Sequence, residues 1–179
     1  MNETSIIECI PNFSEGRRPE VIEAIVTAIT AAGVTLLSVA PDSDHNRTVV
    51  TFVGNPDAVA LAAVRGAEAA ARLIDLNQHR GNHPRMGAVD VIPFVPISGC
   101  DMKDCVAIAR RVGEVLGTQL GIPVFLYEEA ATRPERKNLA DVRRGEFEGL
   151  RELVGTDEVH MPDFGPNALH PTAGCTAVG

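Results

Sequence analysis

The sequence predicts an α+β fold, a ferredoxin-like βαββαβ mixed sheet with an extra helix and strand and with helices packed on the sheet. Short β-branched runs alternate with apolar stretches of helical period, which is the first sign of a mixed fold. The first six segments follow the order β-α-β-β-α-β, typical of the ferredoxin-like pattern. The hydrophobic content of 45% in 179 residues suits one aliphatic core, so we treat 1–179 as a single domain.

Five runs rich in Val, Ile, Leu or Thr and bounded by turn residues are predicted strands. They cover 5–10, 34–40, 47–54, 89–95 and 122–127. Between them, 11–20 and 41–46 are rich in Gly, Pro, Asn, Asp and Ser and are predicted loops. The tail from Thr156 lacks periodicity, and we expect an ordered loop or a ligand-facing segment there.

Three helices are predicted from start and stop signals. They run from Pro19 to Gly33, from Pro56 to Leu76 and from Asp101 to Gly121. Proline suits a first helical turn and aspartate suits an N-cap. The second helix is so rich in alanine that we expect it to lie very close to the sheet. On the third, one apolar stripe is predicted from residues spaced by three or four: Met102, Cys105, Ala109, Val112 and Leu116.

Composition and charge exclude several classes of function. A formal net charge of −8 argues against nucleic acid and against an anionic membrane surface as partners. No apolar run approaches the ~20 residues of a membrane span, and no signal peptide is visible, so a cytoplasmic protein is expected. The cysteines form no CxxC pair and are expected to be buried reduced thiols.

The strongest candidate site is the loop HRGNHPRMGAVD, residues 79–90, which precedes an apolar strand. His83 can exchange a proton near neutral pH, and Asp90 could orient its imidazole. A loop histidine bonded to the backbone is an equally open interpretation. Arg80 and Arg85 bracket His83 and could clamp a carboxylate, although solvation or an intramolecular ion pair is favoured from charge alone.

The remaining polar clusters have simpler interpretations. His79 is expected to interact with a helix C-terminus. The turn at 41–47 holds Asp42, Asp44 and His45, which with His83 would give a metal site only as a remote alternative; a turn is favoured, and no metal is expected. In 11–16, Asn12, Ser14 and Glu15 fit an ordinary capped turn. The basic run at 133–146 is predicted to be a solvated helix face.

Six motifs in order carry a resemblance that spans essentially the whole chain: CIPNFSEG, NRTVVTFVG, NHPRMGAVDVIPF, VFLYEEA, RRGEFEGL and PDFGP. Together they closely resemble the N-terminal subdomain of the formiminotransferase (glutamate formimidoyltransferase) family, as in the transferase part of formiminotransferase-cyclodeaminase. The resemblance implies the ferredoxin-like sheet, and it implies that the histidine of HPRMGA, His83, is catalytic. It also implies a folate-contacting stretch that starts at the Gly-Pro of DFGP: Gly165, Pro166, Asn167, Ala168, Leu169, His170, Pro171, Thr172, Ala173 and Gly174.

The resemblance implies formimidoyl transfer from N-formimino-L-glutamate to N5 of tetrahydrofolate, in histidine degradation. His83 would move the protons, with Asp90 as its orienting partner. Because both substrates carry carboxylates, Arg85, with Arg47 or Arg80, gains a binding role from its charge, and Asn12 is added as a substrate contact. His170 stands where an apolar residue is expected.

Family enzymes continue into a second subdomain, which is absent from 1–179, and substrate lies in the groove between the two. Three explanations stay open: a split enzyme with a separate C-terminal-subdomain chain, a homo-oligomer that rebuilds the groove, or a truncated product. A folate-binding or regulatory module without turnover is the alternative function.

Overall fold

The computed structural model describes residues 5–179; residues 1–4 of the predicted domain lie outside the described residues. Eight strands form one sheet: β1 Ile6–Cys9, β2 Asn12–Phe13, β3 Thr35–Asp42, β4 Arg47–Gly54, β5 Val89–Ile92, β6 Phe94–Ser98, β7 Val124–Leu126 and β8 Thr176–Val178. Five α-helices accompany it: α1 Pro19–Thr30, α2 Pro56–Leu73, α3 Met102–Gln119, α4 Leu139–Val142 and α5 Glu146–Leu153. None of these helices is long and apolar enough to cross a membrane.

The sheet is mixed and open, as the α+β prediction requires. β1 and β2 both lie between β4 on one side and the β5–β6 segment on the other, and all of these pairs are antiparallel. β3 pairs with the outer side of β4. Beyond β5 the sheet continues through β8 to β7 in parallel. The mixed α+β architecture is confirmed, and the ferredoxin-like comparison stays a prediction.

The three long helices cover one face of this sheet. Asp101 caps α3 through a capping box with Asp104, which confirms the predicted start of that helix. The alanine-rich α2 packs between α1 and α3 and touches β1, β4 and β5. Its approach to the sheet is so close that a Cβ at Gly66 would lie 3.3 Å from the ring of Phe13 in β2. The expected tight packing of this helix on the sheet is confirmed.

Several predicted boundaries were wrong. The strand predicted over 89–95 breaks at Pro93, which has no N–H for the ladder. The loop predicted from residue 11 contains β2, and the tail predicted to be aperiodic contains β8, because strands of two or three residues show no period. Helix α2 ends at Leu73 because Ile74 is already extended. On α3, Met102 leaves the predicted stripe and is 42% exposed.

Among residues 5–179, the opposite face of the sheet is covered at its β5–β8–β7 end. There Leu150 and Val154 of α5 pack on a second apolar cluster that includes Val91, Phe125 and Ala177. A β-bulge shifts the register between β2 and β5, since Asn12 pairs with Val91 but Phe13 with Val89. Asp90 is the extra residue in this bulge. Bulges of this kind re-aim side chains beside functional sites, and this one turns Asp90 out of the main core.

Candidate active site

The loop between α2 and β5 is held rigidly by backbone contacts from three other segments. The N–H of His83 donates to the carbonyl of His45 at 3.3 Å. The hydroxyl of Ser14 donates to the carbonyl of Gly87 at 2.7 Å. A Cβ at Gly87 would lie 2.0 Å from the carbonyl oxygen of Cys175, so only glycine lets the tail approach the loop. The candidate site therefore stands on fixed backbone.

His83 is buried, with 4% of its surface exposed. Its Nε2 lies 3.4 Å from Asp90 Oδ2, within ion-pair distance. The geometry does not complete a hydrogen bond, and Nε2 has no such partner among residues 5–179. A buried imidazole nitrogen without a partner is unusual, because most buried polar atoms are hydrogen-bonded. The structure thus brings the two predicted catalytic residues together, with the Nε2 of His83 facing the Asp90 carboxylate.

Asp90 is fully buried and is held from two sides. Its Oδ1 accepts the backbone N–H of Met86 at 2.8 Å. Its Oδ2 accepts a hydrogen bond from the Nη2 of Arg143, in an ion pair. A buried carboxylate needs such partners, since an unpaired buried charge is costly. Asp90 is therefore held in place beside His83 by groups from two different segments.

Arg143 is the site residue that sequence reasoning missed. It follows α4, inside the run predicted to be a solvated helix face, yet only 19% of its side chain is exposed. Its Nε is buried and has no hydrogen-bond partner in the described part of the chain. Arg136, in the same run, is also buried at 3%. The prediction of a solvated face was wrong for these two arginines because their carboxylate partners come from distant segments.

Arg85, a predicted carboxylate clamp, is occupied by acidic residues of the chain itself. Its guanidinium donates to both carboxylate oxygens of Glu148, at 2.8 and 2.6 Å, and to Glu146 at 3.3 Å. Hydrogen bonding to Glu148 raises the pKa of Arg85 above its ordinary value, and the same bonds lower the pKa of Glu148 to about 2. The geometry matches the alternative interpretation, an intramolecular ion pair, since all three guanidinium nitrogens already donate within the chain.

His79 is also committed to the scaffold. Its Nε2 contacts the carbonyl of Asn46 at 2.8 Å, and its Nδ1 accepts from Arg85 Nε at 3.2 Å. These partners assign the proton to Nε2. Burial, and then the nearby Arg85 cation, lower the pKa of His79. The predicted contact with a helix C-terminus was wrong, since α2 ends at Leu73 and His79 instead bonds to the β3–β4 turn.

Asn12 and Arg47 lie on the sheet face opposite the three long helices. Asn12 pairs with Val49, and Arg47 lies two residues from Val49 on the same face. The Nε of Arg47 is buried without a hydrogen-bond partner among residues 5–179. Asn12 uses its amide locally, donating to the carbonyl of Ile10 at 3.2 Å. Arg80 is exposed and donates to the carbonyls of Asn77 and His79.

The predicted folate-contacting stretch, 165–174, runs from an exposed start to a buried end beside the candidate loop. Gly165, Pro166, Asn167 and Ala168 are exposed, whereas Ala173 and Gly174 are buried. The carbonyl of Ala173 accepts the N–H of Ala88 at 2.9 Å. Gly174 has a φ of +70°, and a Cβ there would lie 2.1 Å from the carbonyl oxygen of Met86. The stretch is therefore physically joined to the His83 loop.

His170, the departure from the resemblance, makes a local turn. Its Nδ1 accepts the N–H groups of Thr172 at 3.3 Å and Ala173 at 3.0 Å. Burial lowers the pKa of His170, which favours the neutral ring that can accept these bonds. The carbonyl of Thr172 accepts the N–H of Leu76 at 2.9 Å. The histidine thus shapes the end of the stretch next to the loop.

The turn before β4 has the geometry of a capped turn. Asp42 accepts the backbone N–H groups of Asp44 at 3.0 Å and His45 at 2.9 Å, and its other oxygen contacts the His45 ring. No group of three or more His, Cys, Asp or Glu side chains within residues 5–179 converges as metal ligands do. The favoured interpretation of this turn agrees with the geometry.

A cleft of about 280 Å³ lies behind His79, between the start of α1 and the end of α2. Its lining includes Glu15, Arg17, Arg18 and His79 but not His83. Burial opposes ionisation of Glu15, yet the N–H groups of Arg17 and Arg18 and the guanidinium of Arg18 outweigh it and lower its pKa. Glu15 and His79, two titratable groups of this cleft, are already bonded within the protein.

Comparison with known proteins now bears on this site. Residues 6–179 match the family described as the formiminotransferase domain, N-terminal subdomain. The glutamate formimidoyltransferase of Streptococcus pyogenes serotype M1 is 51% identical over 97% of this chain and 58% of its own length. A Thermoplasma acidophilum glutamate formimidoyltransferase is 47% identical over 98% of this chain, again 58% of the relative.

A bifunctional relative matches over the same region. The formimidoyltransferase-cyclodeaminase of Dictyostelium discoideum is 47% identical over 97% of this chain and 32% of its own length. The chain thus spans between 32% and 58% of these relatives. With a family match across nearly all described residues, the chain belongs to the formiminotransferase N-terminal subdomain family.

Proposed function

We propose that this chain supplies the proton-transfer half of a formimidoyl-transfer site, acting on N-formimino-L-glutamate with tetrahydrofolate as co-substrate. The observation that carries the proposal is His83: a buried imidazole on a fixed loop, with Nε2 unpartnered among the described residues and Asp90 at 3.4 Å. The names of the relatives support the reaction class. The place in histidine degradation and the cytoplasmic location belong to this proposal.

The chemistry needs one group that first accepts and then donates a proton. N5 of tetrahydrofolate attacks the formimino carbon, and a tetrahedral intermediate forms with the new carbon–nitrogen bond. His83 takes the proton from N5 and delivers it to the glutamate nitrogen, whose bond to carbon breaks. Glutamate leaves as the amine, and N5 carries the formimino group. General acid–base transfer of this kind contributes about 10²–10⁴-fold to a rate.

The carboxylates of the two substrates need cationic partners. Arg47 is the better candidate of the predicted set, because its buried Nε is unpartnered in the described chain, whereas Arg85 is bound to Glu148. An arginine recognises carboxylates through its planar fork of donors. Asn12 lies on the same sheet face as Arg47 and is assigned to the same substrate wall.

The stretch from Gly165 to Gly174 is the proposed folate contact. Its start is exposed and its end is bonded to the loop that carries His83, so a ligand lying along it would end beside that loop. The partly open sheet face that carries Arg47 would form one wall of a groove. The second wall is proposed to come from a C-terminal subdomain on a separate chain or from a second copy of this chain.

A transfer assay tests the proposal. The chain is assayed with N-formimino-L-glutamate and tetrahydrofolate, alone and mixed with the separately expressed C-terminal part of the Streptococcus pyogenes relative. We expect turnover in at least one preparation, and a loss of about 10²–10⁴-fold in His83→Ala. The matched control is His160→Ala, because the ring of His160 is bonded to Asp157, away from the candidate loop.

Two outcomes would count against this proposal. Equal rates for the wild-type chain and His83→Ala would remove His83 from the chemistry. Absence of turnover in both preparations, together with tetrahydrofolate binding in equilibrium dialysis, would favour the folate-binding module without turnover.

A further inference from the structure

His83 and Arg143 approach the same oxygen of one carboxylate. Arg143 Nη2 hydrogen-bonds to Asp90 Oδ2, and His83 Nε2 lies 3.4 Å from that oxygen. The other oxygen of Asp90 is taken by the backbone N–H of Met86. The carboxylate is fully buried, so water does not screen it from Arg143 or from the imidazole.

The two neighbours of Asp90 differ in chemistry. A guanidinium stays protonated at every physiological pH, so it pairs with Asp90 permanently. An imidazole beside an uncompensated buried carboxylate is instead held in its protonated form, because an opposite charge within ~4–6 Å favours the cation. A protonated His83 could not accept the proton of a nucleophile. The guanidinium decides how strongly Asp90 acts on the ring.

We propose that Arg143 is a positioning residue for His83: it neutralises Asp90, so that the carboxylate orients the imidazole without holding it in the protonated form. Nδ1, the ring nitrogen that does not face Asp90, is then the one that exchanges a proton with a ligand. This assignment rests on the proposed function for its effect on rate, but its effect on the titration of His83 does not.

The other charged or titratable groups near His83 and Asp90 are neutral or already paired, so they do not compensate the charge of Asp90. Burial raises the pKa of the Cys175 thiol and of the Tyr127 phenol, so both groups near Asp90 are neutral at pH 7. From the loop itself, Arg85 is paired with Glu148 and Glu146 of α5. His79, whose pKa is lowered by burial, is neutral as well.

Within the described chain, the charged and titratable groups on the β3–β4 side do not contact the Asp90 carboxylate. His45 meets His83 through its backbone carbonyl and pairs its ring with Asp42. Arg47, at the start of β4, lies on the sheet face opposite the three long helices, and Arg80 is exposed on the loop. Among residues 5–179, Arg143 is the cation that hydrogen-bonds to the Asp90 carboxylate.

The test is a proton titration of His83 by NMR on the whole chain, with the His83 signal assigned from its loss in His83→Gln. In Arg143→Gln we expect the titration midpoint to rise by about one pH unit, a tenfold change, because Asp90 is left as an unpaired anion. Arg143→Lys keeps the charge and one N–H donor and should stay close to wild type. Asp90→Asn/Arg143→Gln should lose the rise, since no anion remains.

Arg144→Gln is the matched control, because Arg144 is the next residue, is 80% exposed and pairs only with Asp141 among the described residues. It should leave the midpoint unchanged. An unchanged midpoint in folded Arg143→Gln, or an equal rise in Arg143→Lys, would overturn the assignment. If Arg143→Gln fails to fold, Arg143→Lys and Asp90→Asn carry the test. A raised His83 midpoint in Arg143→Lys would overturn the assignment. A wild-type midpoint in Arg143→Lys, together with a changed midpoint in Asp90→Asn, would support it.

Where the chain or its mixture with the C-terminal part turns over, the acid limb of the kcat/KM profile should move to higher pH in Arg143→Gln by the same interval. Failure of the proposed reaction appears as absence of turnover in both wild-type preparations, the chain alone and its mixture with the C-terminal part. Failure of the Arg143 assignment appears in the titration, which needs no turnover. The two failures are therefore distinguishable.

Discussion

Two arginines seven residues apart, Arg136 and Arg143, each pair with a buried or nearly buried carboxylate. The two pairs differ in how many hydrogen bonds the carboxylate accepts. Arg136 pairs with Asp163 at 2.5 Å and donates to the carbonyls of Val159 and Met161. Asp163 in turn accepts the N–H of Leu126 at 2.7 Å and the hydroxyl of Thr132. That carboxylate accepts three hydrogen bonds from the scaffold, whereas Asp90 accepts two.

The pair formed by Arg143 and Asp90 is less complete. Asp90 accepts from Met86 and Arg143, while the imidazole of His83 stands at 3.4 Å without completing a bond. The Nε atoms of both arginines lack partners within residues 5–179, so the difference lies in what surrounds the carboxylate. A buried ion pair is therefore structural where scaffold donors supply all the contacts of its carboxylate, and it points to chemistry where an imidazole stands beside that carboxylate.

The largest effect on stability is expected at the ion pair of Arg136 with Asp163. Arg136→Ala should lower the free energy of unfolding by about 3–5 kcal/mol, because it leaves Asp163 and two carbonyls without their buried donor. Urea unfolding measures it. The control Arg133→Ala removes an exposed pair with Glu158 and should cost below about 1 kcal/mol. Similar losses in the two variants would show that the Arg136 pair is not structural.

The second prediction separates the two carboxylates by function. Asp90→Asn and Asp163→Asn should each cost roughly 1.5–3 kcal/mol, since each removes hydrogen bonds to a charged group. Only Asp90→Asn should alter the titration of His83, because only Asp90 lies beside the ring. Urea unfolding and NMR titration of both variants check this. A shift of the His83 midpoint in Asp163→Asn of the same size would erase the distinction.

Sequence reasoning located one half of the candidate site. His83 and Asp90 were named because a histidine and a carboxylate on a Gly/Pro-shaped loop lie near each other along the chain. Arg143 was missed, since its neighbours Arg144, Asp141 and Glu146 alternate in sign as on a solvated face. The side chains of Arg143 and Arg144 are 19% and 80% exposed, and nothing in the local pattern separates them. The deciding contact joins residues 53 positions apart.

The fold, too, was predictable where the signal is local and not where it depends on long-range contacts. The long helices and the strands β3 and β4 were predicted because their apolar periods extend over many residues. β8 was missed, since three residues show no period and its insertion between β5 and β7 depends on long-range pairing. Arg85 was predicted as a clamp because the loop does not reveal that Glu148, 63 positions away, binds it.

The smallest expected effect belongs to a third arginine pair, Arg85 with Glu148, whose carboxylate is exposed. The hydrogen bonds from Arg85 lower the pKa of Glu148 from 4.5 to about 2. A lowered pKa contributes stability that is present above the unfolded value and is lost as the pH falls from 4.5 towards 2. Because 63% of the Glu148 side chain is exposed, screening limits the contribution to below about 1 kcal/mol.

Glu148→Gln should therefore lower the stability slightly near neutral pH and make no difference near pH ~2, where the wild-type carboxylate is also protonated. Urea unfolding at several pH values between about 2 and 6 gives the difference curve. The control is Glu152→Gln on the same helix, exposed and without an ion pair among the described residues. A difference between wild type and Glu148→Gln that grew as the pH fell would reverse the sign and contradict the pairing. If Glu148→Gln lost as much unfolding free energy as Arg136→Ala, the Arg85–Glu148 pair would be as important for stability as the Arg136–Asp163 pair. Exposure of the carboxylate would then not explain the order of the three effects.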